Sequence, residues 1–231
     1  AALALFAHFE PPRPEAIVGL LRIGVPMGIS LFMEASLFVA VALAIGTLGT
    51  DVVASHQIAI NVASVTFMVP LGIAMATTVR VGHAVGRGDP DGLRDAGLVG
   101  LMLTLAAQGV SAMLMLTVPQ HIAALYTDDA AVVVLAAQLL ILAGLFQFSD
   151  GLQVAAAGAL RGLKDTRVPM LITTFAYWGV GMPVGWWLAF RAGLGARGMW
   201  MGLIAGLSMA AVLLTTRFWR LARATPAAVS A

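Results

Sequence analysis

Apolar residues dominate the chain in long runs, interrupted at intervals by short connectors rich in glycine, proline and charge. Runs of about 20 or more apolar residues read as membrane-crossing helices. The pattern predicts six, at about 17–48, 52–79, 96–118, 130–160, 168–190 and 198–217. The breakers between them are GTLGTD, GRGDPDG, VPQH, RGLKDTRVP and RAGLGARG, each with the glycine or proline that ends a helix. The expected fold class is therefore an all-α integral membrane protein built as a six-helix bundle. Residues 16–220 form the membrane lobe and 221–231 a cytoplasmic tail. The opening AALALFAHF is too short to span and runs into the charged, proline-rich EPPRPE. It lacks the basic start and small-residue cleavage site of a signal peptide. Residues 1–15 read instead as the end of a preceding helix and a linker, which makes the sequence a fragment.

Composition narrows the class. The chain is 60% hydrophobic and 10% charged, whereas soluble domains carry about a quarter charged residues. Its mean hydropathy is +0.95. With no cysteine, neither a disulfide framework nor a thiolate site is available. The net charge of +2 belongs to topology rather than to nucleic acid. If the first connector faces outward, the inner side holds 11 of the 13 basic residues; only Arg191 and Arg197 lie outside. The positive-inside rule then puts both ends of the sequence in the cytoplasm. An odd number of spans would mix the two sets.

The spans are not uniform. Pro26, Pro70 and Pro183 can bend their helices, which membranes tolerate where neighbours satisfy the freed backbone. Small residues four apart, Gly24 with Gly28, Gly181 with Gly185, and Gly198 with Gly202 and Gly206, predict close helix–helix approach. The fourth span, about 46 Å at about 1.5 Å per residue, exceeds a hydrocarbon core of roughly 30 Å and must tilt or project.

Only two of the 11 acidic residues, Glu34 and Asp150, lie well inside spans. A charge at the centre of a lone helix costs about 2.5–3.5 kcal/mol on insertion scales, so such groups face a bundle interior or a wet cavity. No lysine or arginine shares their depth in the sequence, so no buried ion pair is expected. Two readings stay open for each: a neutral carboxyl hydrogen-bonded between helices, or a carboxylate that meets a cation from solution. Gln147, Asp150 and Gln153 share one helical face, as do Gln57, Asn61 and Ser64. Interhelical hydrogen bonding and a lumen-facing stripe fit these equally. His56 near the outer end reads as structural, and Met33 and Met68 suit packing or an adaptable pocket. GRGD at 86–89 matches the acidic motif of intramembrane proteases but lies in a charged connector with no partner aspartate motif. No Cys/His cluster suggests a metal site.

The stretch from Ser55 to Asp89, SHQIAINVASVTFMVPLGIAMATTVRVGHAVGRGD, resembles the multidrug and toxic compound extrusion (MATE) family, in its NorM-type branch. The matching residues are His56–Gln57, Asn61, Pro70–Leu71, Arg80–Val81–Gly82 and Gly86–Arg87–Gly88–Asp89. GVPMGISLFMEASLF resembles the family's seventh span with Glu34 at its acidic position. DGLQVAAAGALRGLKDTRVP resembles the tenth, with Asp150 and the basic turn. The resemblance implies a transporter rather than an enzyme, with this chain as the C-terminal six-helix lobe of a twelve-helix protein in the inner membrane. It implies antiport, Na+ or H+ entering as cationic, amphipathic compounds leave, with no other cofactor. The implied partners are the lipid bilayer, cationic small molecules and the missing N-terminal lobe, with no nucleic acid. Glu34 and Asp150 stand as the coupling-cation and substrate-binding acids, the only positions for Na+. Asp129 matches a third acidic position, and Phe146 stands where some relatives have a tyrosine. Phe38, Phe67, Gln57, Asn61 and Gln147 are candidate cavity-lining residues, an aromatic face being able to attract an organic cation. The alternative within the superfamily is a lipid-linked oligosaccharide flippase, which needs basic residues at membrane depth to hold pyrophosphate. A non-transporting membrane scaffold would need no acids at two depths.

Overall fold

The connectors do more than stop helices; two of them start the next one. In the computed structural model, which describes residues 14–224, Gly88 takes φ 63°, a left-handed conformation natural to glycine. Asp89 then caps the third helix, its Oδ1 accepting from Gly92 N at 2.8 Å, with Pro90 in the first turn. Asp129 does the same for the fifth, accepting from Ala131 N at 2.8 Å and Val132 N at 3.3 Å. A capping carboxylate satisfies amides that a helix start leaves free.

The helices are α1 (Pro14–Gly46), α2 (Thr50–Gly86), α3 (Pro90–Thr117), α4 (Pro119–Ala124), α5 (Ala130–Gly162), α6 (Arg167–Thr174), α7 (Met182–Trp186) and α8 (Ala196–Ala224). Five of them, α1, α2, α3, α5 and α8, are each long and apolar enough to cross a membrane. The expected span at 168–190 is also one continuous helix, but not a plain α-helix. Widened π-helical turns occupy Phe175–Gly181 and Trp187–Arg191, on either side of α7. Met182 N reaches back five residues to Tyr177 O, and Ala192 N to Trp187 O at 3.1 Å. Pro183 sits between these turns; its ring nitrogen cannot donate, and widened turns commonly accompany such breaks in the i→i−4 ladder. The chain is thus an all-α, multi-pass membrane protein.

Element boundaries differ from the expected ones in instructive ways. α3 begins at Pro90 rather than 96 because DPDG is a capped helix start. VPQH holds the short α4. α8 runs on to Ala224, into the expected tail. Of the expected preceding helix and linker at 1–15, only Pro14 and Glu15 are described, as the start of α1; the rest, like 225–231, lies outside the described residues.

α5 is the hub. It packs along α2, α3, α4 and α8, and half of its most apolar window is buried against 22% for α1. Glycines set the closest crossings. A methyl on Gly158 would lie 2.6 Å from Ala74 O on α2, and Thr78 Oγ1 donates to Gly158 O at 2.8 Å across this seam. A methyl on Gly202 of α8 would lie 2.3 Å from Gly185 Cα, and one on Gly198 would lie 2.4 Å from Ala189 N. Two of the three predicted small-residue sets therefore meet each other. Gly24 and Gly28 have nothing within 4 Å of the corresponding position; the close approach expected of them is not made among the described residues.

Candidate functional site

α1 lies apart from the hub, touching mainly α6 and α2, and a cleft opens between its inner face, α2 and α5. Glu34 falls on that face because it is one turn from the buried Leu37. Two adjoining cavities fill the cleft. One, of about 340 Å³, is lined among others by Glu34, Phe38, Phe67, Gln153 and Arg161. The other, of about 370 Å³, is lined by Glu34, Phe38, Phe67, Phe146 and Asp150. The two acids of the sequence analysis thus come from helices far apart in the chain to border one apolar space. Asp150 is near enough to Glu34 to feel its charge.

Their surroundings differ. Glu34 is half-buried and accepts a long hydrogen bond from Gln153 Nε2 at 3.5 Å. Asp150 is 5% exposed, and its Oδ1 is sealed from solvent with no hydrogen-bond partner among the described residues. An unsatisfied buried oxygen is expensive, and the residue that carries it borders the cavity of about 370 Å³. The walls are aromatic. Phe38 and Phe146 meet edge to face at 6.1 Å, and Phe146 meets Trp200 the same way at 5.7 Å.

The remaining candidates are not brought to this cleft. Gln147 is fully buried and faces α2 and α3, donating to Thr66 Oγ1 and accepting from Gln108 Nε2 at 2.6 Å. Asp129 caps α5 about 30 Å along the helix from Asp150, on the exposed side of the chain. Gln57 and Asn61 lie on an exposed face of α2, where Asn61 Oδ1 accepts from Tyr126 OH at 2.9 Å. His56 is buried against Trp200 at 5.9 Å.

The sequence places no basic residue at the depth of Glu34, and among the described residues Glu34 is in no ion pair; Arg161 nevertheless lines the cavity that holds Glu34. Arg161 belongs to the last turn of α5, and a long basic side chain places its charge well away from its own backbone. Two other residues stand close to the acids. Gln153, placed by spacing on one face with Asp150, bonds Glu34 across the cleft. Tyr177, fully buried in the first π-helical stretch and electrostatically close to both acids, gives no sequence signal, because it comes from another span.

A bundle of membrane-crossing helices enclosing an acidic, aromatic cleft is the kind of lobe that transporters are built from. The comparisons identify the kind: residues 26–187 match the MatE family, and the chain belongs to that family. It is 54% identical over 230 residues to "Probable multidrug resistance protein NorM" of Xanthomonas axonopodis pv. citri (strain 306), covering 100% of this chain and 50% of the relative. It is 49% identical over 226 residues to "Multidrug resistance protein PmpM" of Pseudomonas aeruginosa PAO1, covering 96% of this chain and 47% of that one. The chain thus spans about half the length of the curated relatives it matches. Among solved structures it is similar to the eukaryotic MATE transporter AtDTX14, with TM-score 0.83 at 22% identity over 91% of this chain and 49% of that one. It is also similar to an outward-facing multidrug resistance MATE family transporter of the MOP superfamily. That likeness has TM-score 0.85 at 22% identity, over 95% of this chain and 49% of the other.

Proposed function

We propose that this chain is the cation-coupling half of a secondary active multidrug exporter, which expels cationic or amphipathic organic compounds in exchange for Na+ or H+. The observation that carries the reading is the convergence of Glu34 and Asp150 on one apolar cleft, with Asp150 Oδ1 left without a partner. A carboxylate in such a place binds a cation tightly, and it can give that cation up when a competing one arrives. The phenyl faces of Phe38, Phe67 and Phe146 suit the apolar body and the charge of an organic cation. The names of the relatives, multidrug resistance proteins, agree with this cargo.

Binding drives transport only if it favours one of two arrangements of the protein. A cleft between a loosely packed α1 and the α2–α5 hub, open to a facing lobe of similar size, gives alternating access its moving part. The facing half of the cavity belongs to that first lobe. The coupling ion and the cargo are substrates of this cleft, and no other cofactor has a role. The protein sits in the inner membrane, with both ends of the described chain in the cytoplasm.

The test is ethidium efflux from vesicles holding this chain joined to a matching first lobe, with sodium and proton gradients imposed separately. Efflux driven by one gradient and lost in Glu34→Gln is the expected result and names the ion. Undiminished gradient-driven efflux in both Glu34→Gln and Asp150→Asn would sink the reading.

A further inference from the structure

Gln153, Ala157 and Arg161 recur at four-residue intervals along α5, and all three line the cavity that holds Glu34. Arg161 Nε is sealed from solvent without a hydrogen-bond partner among the described residues. The ion pairs among those residues are Arg87–Asp89, Arg94–Asp91 and Arg217–Asp165, so Arg161 is in none of them. Asp165, the other acid lining this cavity, is engaged by Arg217 at 2.5 Å. The carboxylate left to balance Arg161 is Glu34, with which it interacts electrostatically. Asp150 and Gln153 of α5, Tyr177 of the π-helical stretch and the hydroxyls of Ser30, Thr166 and Thr173 are the other ionisable and polar groups around Glu34 and its cavity. Arg161 as a whole is half-buried; a sealed guanidinium nitrogen without a hydrogen bond is costly, and arginine does not shed its proton. A permanent cation therefore lines the same cavity as Glu34.

We propose that Arg161 is a tethered cation that competes with the coupling ion for Glu34, holding the ion's affinity low enough for release. The proposal rests on the coupling role of Glu34 proposed above. Arg161 is a positioning and affinity-setting residue; it does not itself carry cargo. When the site is free of ion, the guanidinium partly neutralises Glu34. An arriving Na+ or H+ takes over that neutralisation, and the same fixed charge helps expel the ion later.

The experiment uses the chain joined to a matching first lobe, in vesicles, with ethidium efflux followed as a function of coupling-ion concentration. In Arg161→Gln the half-saturating ion concentration should fall at least tenfold, the effect a unit charge exerts from about 12 Å away at an effective dielectric of about 20. The maximal rate should fall with it as release slows. Arg161→Lys keeps the charge and should stay near the unaltered protein. A merely structural arginine would lower the amount inserted or the maximal rate and leave half-saturation in place; an unchanged value in Arg161→Gln overturns the proposal. A second measurement needs no variant. Modification of Arg161 by phenylglyoxal, read by mass spectrometry, should quicken as coupling ion is added and frees the side chain; equal rates with and without ion also overturn it. Glu34→Gln in the same vesicles separates the two levels. Gradient-driven efflux that survives there removes the role of Glu34 itself, whereas efflux lost there, with half-saturation unchanged in Arg161→Gln, removes only that of Arg161.

Discussion

Gln147 and Asp150 stand one turn apart on α5, both buried, in regions built on opposite terms. Around Gln147, three helices share a polar network: its amide donates to Thr66 on α2, and Gln108 on α3 donates to its side-chain oxygen at 2.6 Å and to its backbone oxygen at 3.1 Å, leaving Gln108 Oε1 unpaired among the described residues. Around Asp150 the helices part, a cavity of about 370 Å³ opens, and Oδ1 has no hydrogen-bond partner among the described residues. Side-chain bonds across three helices specify one packing and resist change. Asp150 lacks such bonds and borders a cavity instead. The two residues share a face by spacing, and only the company each keeps separates a clamp from a receptor.

The comparison can be broken most decisively at the open end. Asp150→Asn should leave insertion intact and reduce gradient-driven efflux to background; full efflux in that variant would make Asp150 another structural polar group. At the closed end, Gln147→Leu strips Thr66 and Gln108 of their partner. It should cost about 1–2 kcal/mol of stability, read as a lower unfolding midpoint in detergent, with the half-saturating ion concentration unchanged. A shift in that concentration would show that network and cleft act as one site. Gln153→Leu lies between the two regions. Its bond to Glu34 is long at 3.5 Å, so its loss is worth about 1 kcal/mol or less, up to about a fivefold change in half-saturation. The smallest effect belongs to Asp129→Ala, which removes a helix cap at about 0.5–1 kcal/mol and should leave ion dependence alone. A change there would restore Asp129 as a third coupling acid.

Much of this was legible from the letters. Helix count, class and the two isolated acids follow from where charge is missing, because lipid tolerates charge so poorly. Spacing also put Gln57, Asn61 and Ser64 on one face of α2, but spacing cannot say which way a face points. Gln57, Asn61 and Ser64 are all exposed, and of the three Ser64 alone also borders the cleft. That Arg161 lines the cavity of Glu34 was not legible either, because a sequence records where the backbone leaves the membrane, not what a long side chain reaches. Asp129 misled for a related reason: a carboxylate at a helix start satisfies backbone amides, whatever else the position resembles. The π-helical turns around Pro183 left no trace in hydropathy, which depends on side chains and not on hydrogen-bond register.

The seam of Gly181, Gly185, Gly198, Gly202 and Gly206 has a thermodynamic consequence of its own. A leucine docked between helices gives up rotamer freedom, worth about 0.5–1 kcal/mol; a glycine has no side-chain freedom to give up. In lipid, where apolar contact between helices gains nothing over contact with acyl chains, that saving weighs more than it would in water. α8 is therefore held to its neighbour by dispersion between bare backbones, an attachment whose side-chain entropy cost is close to nil. It should loosen less on warming than a seam of interlocked large side chains, leaving the α1 side of the lobe as the part that yields first.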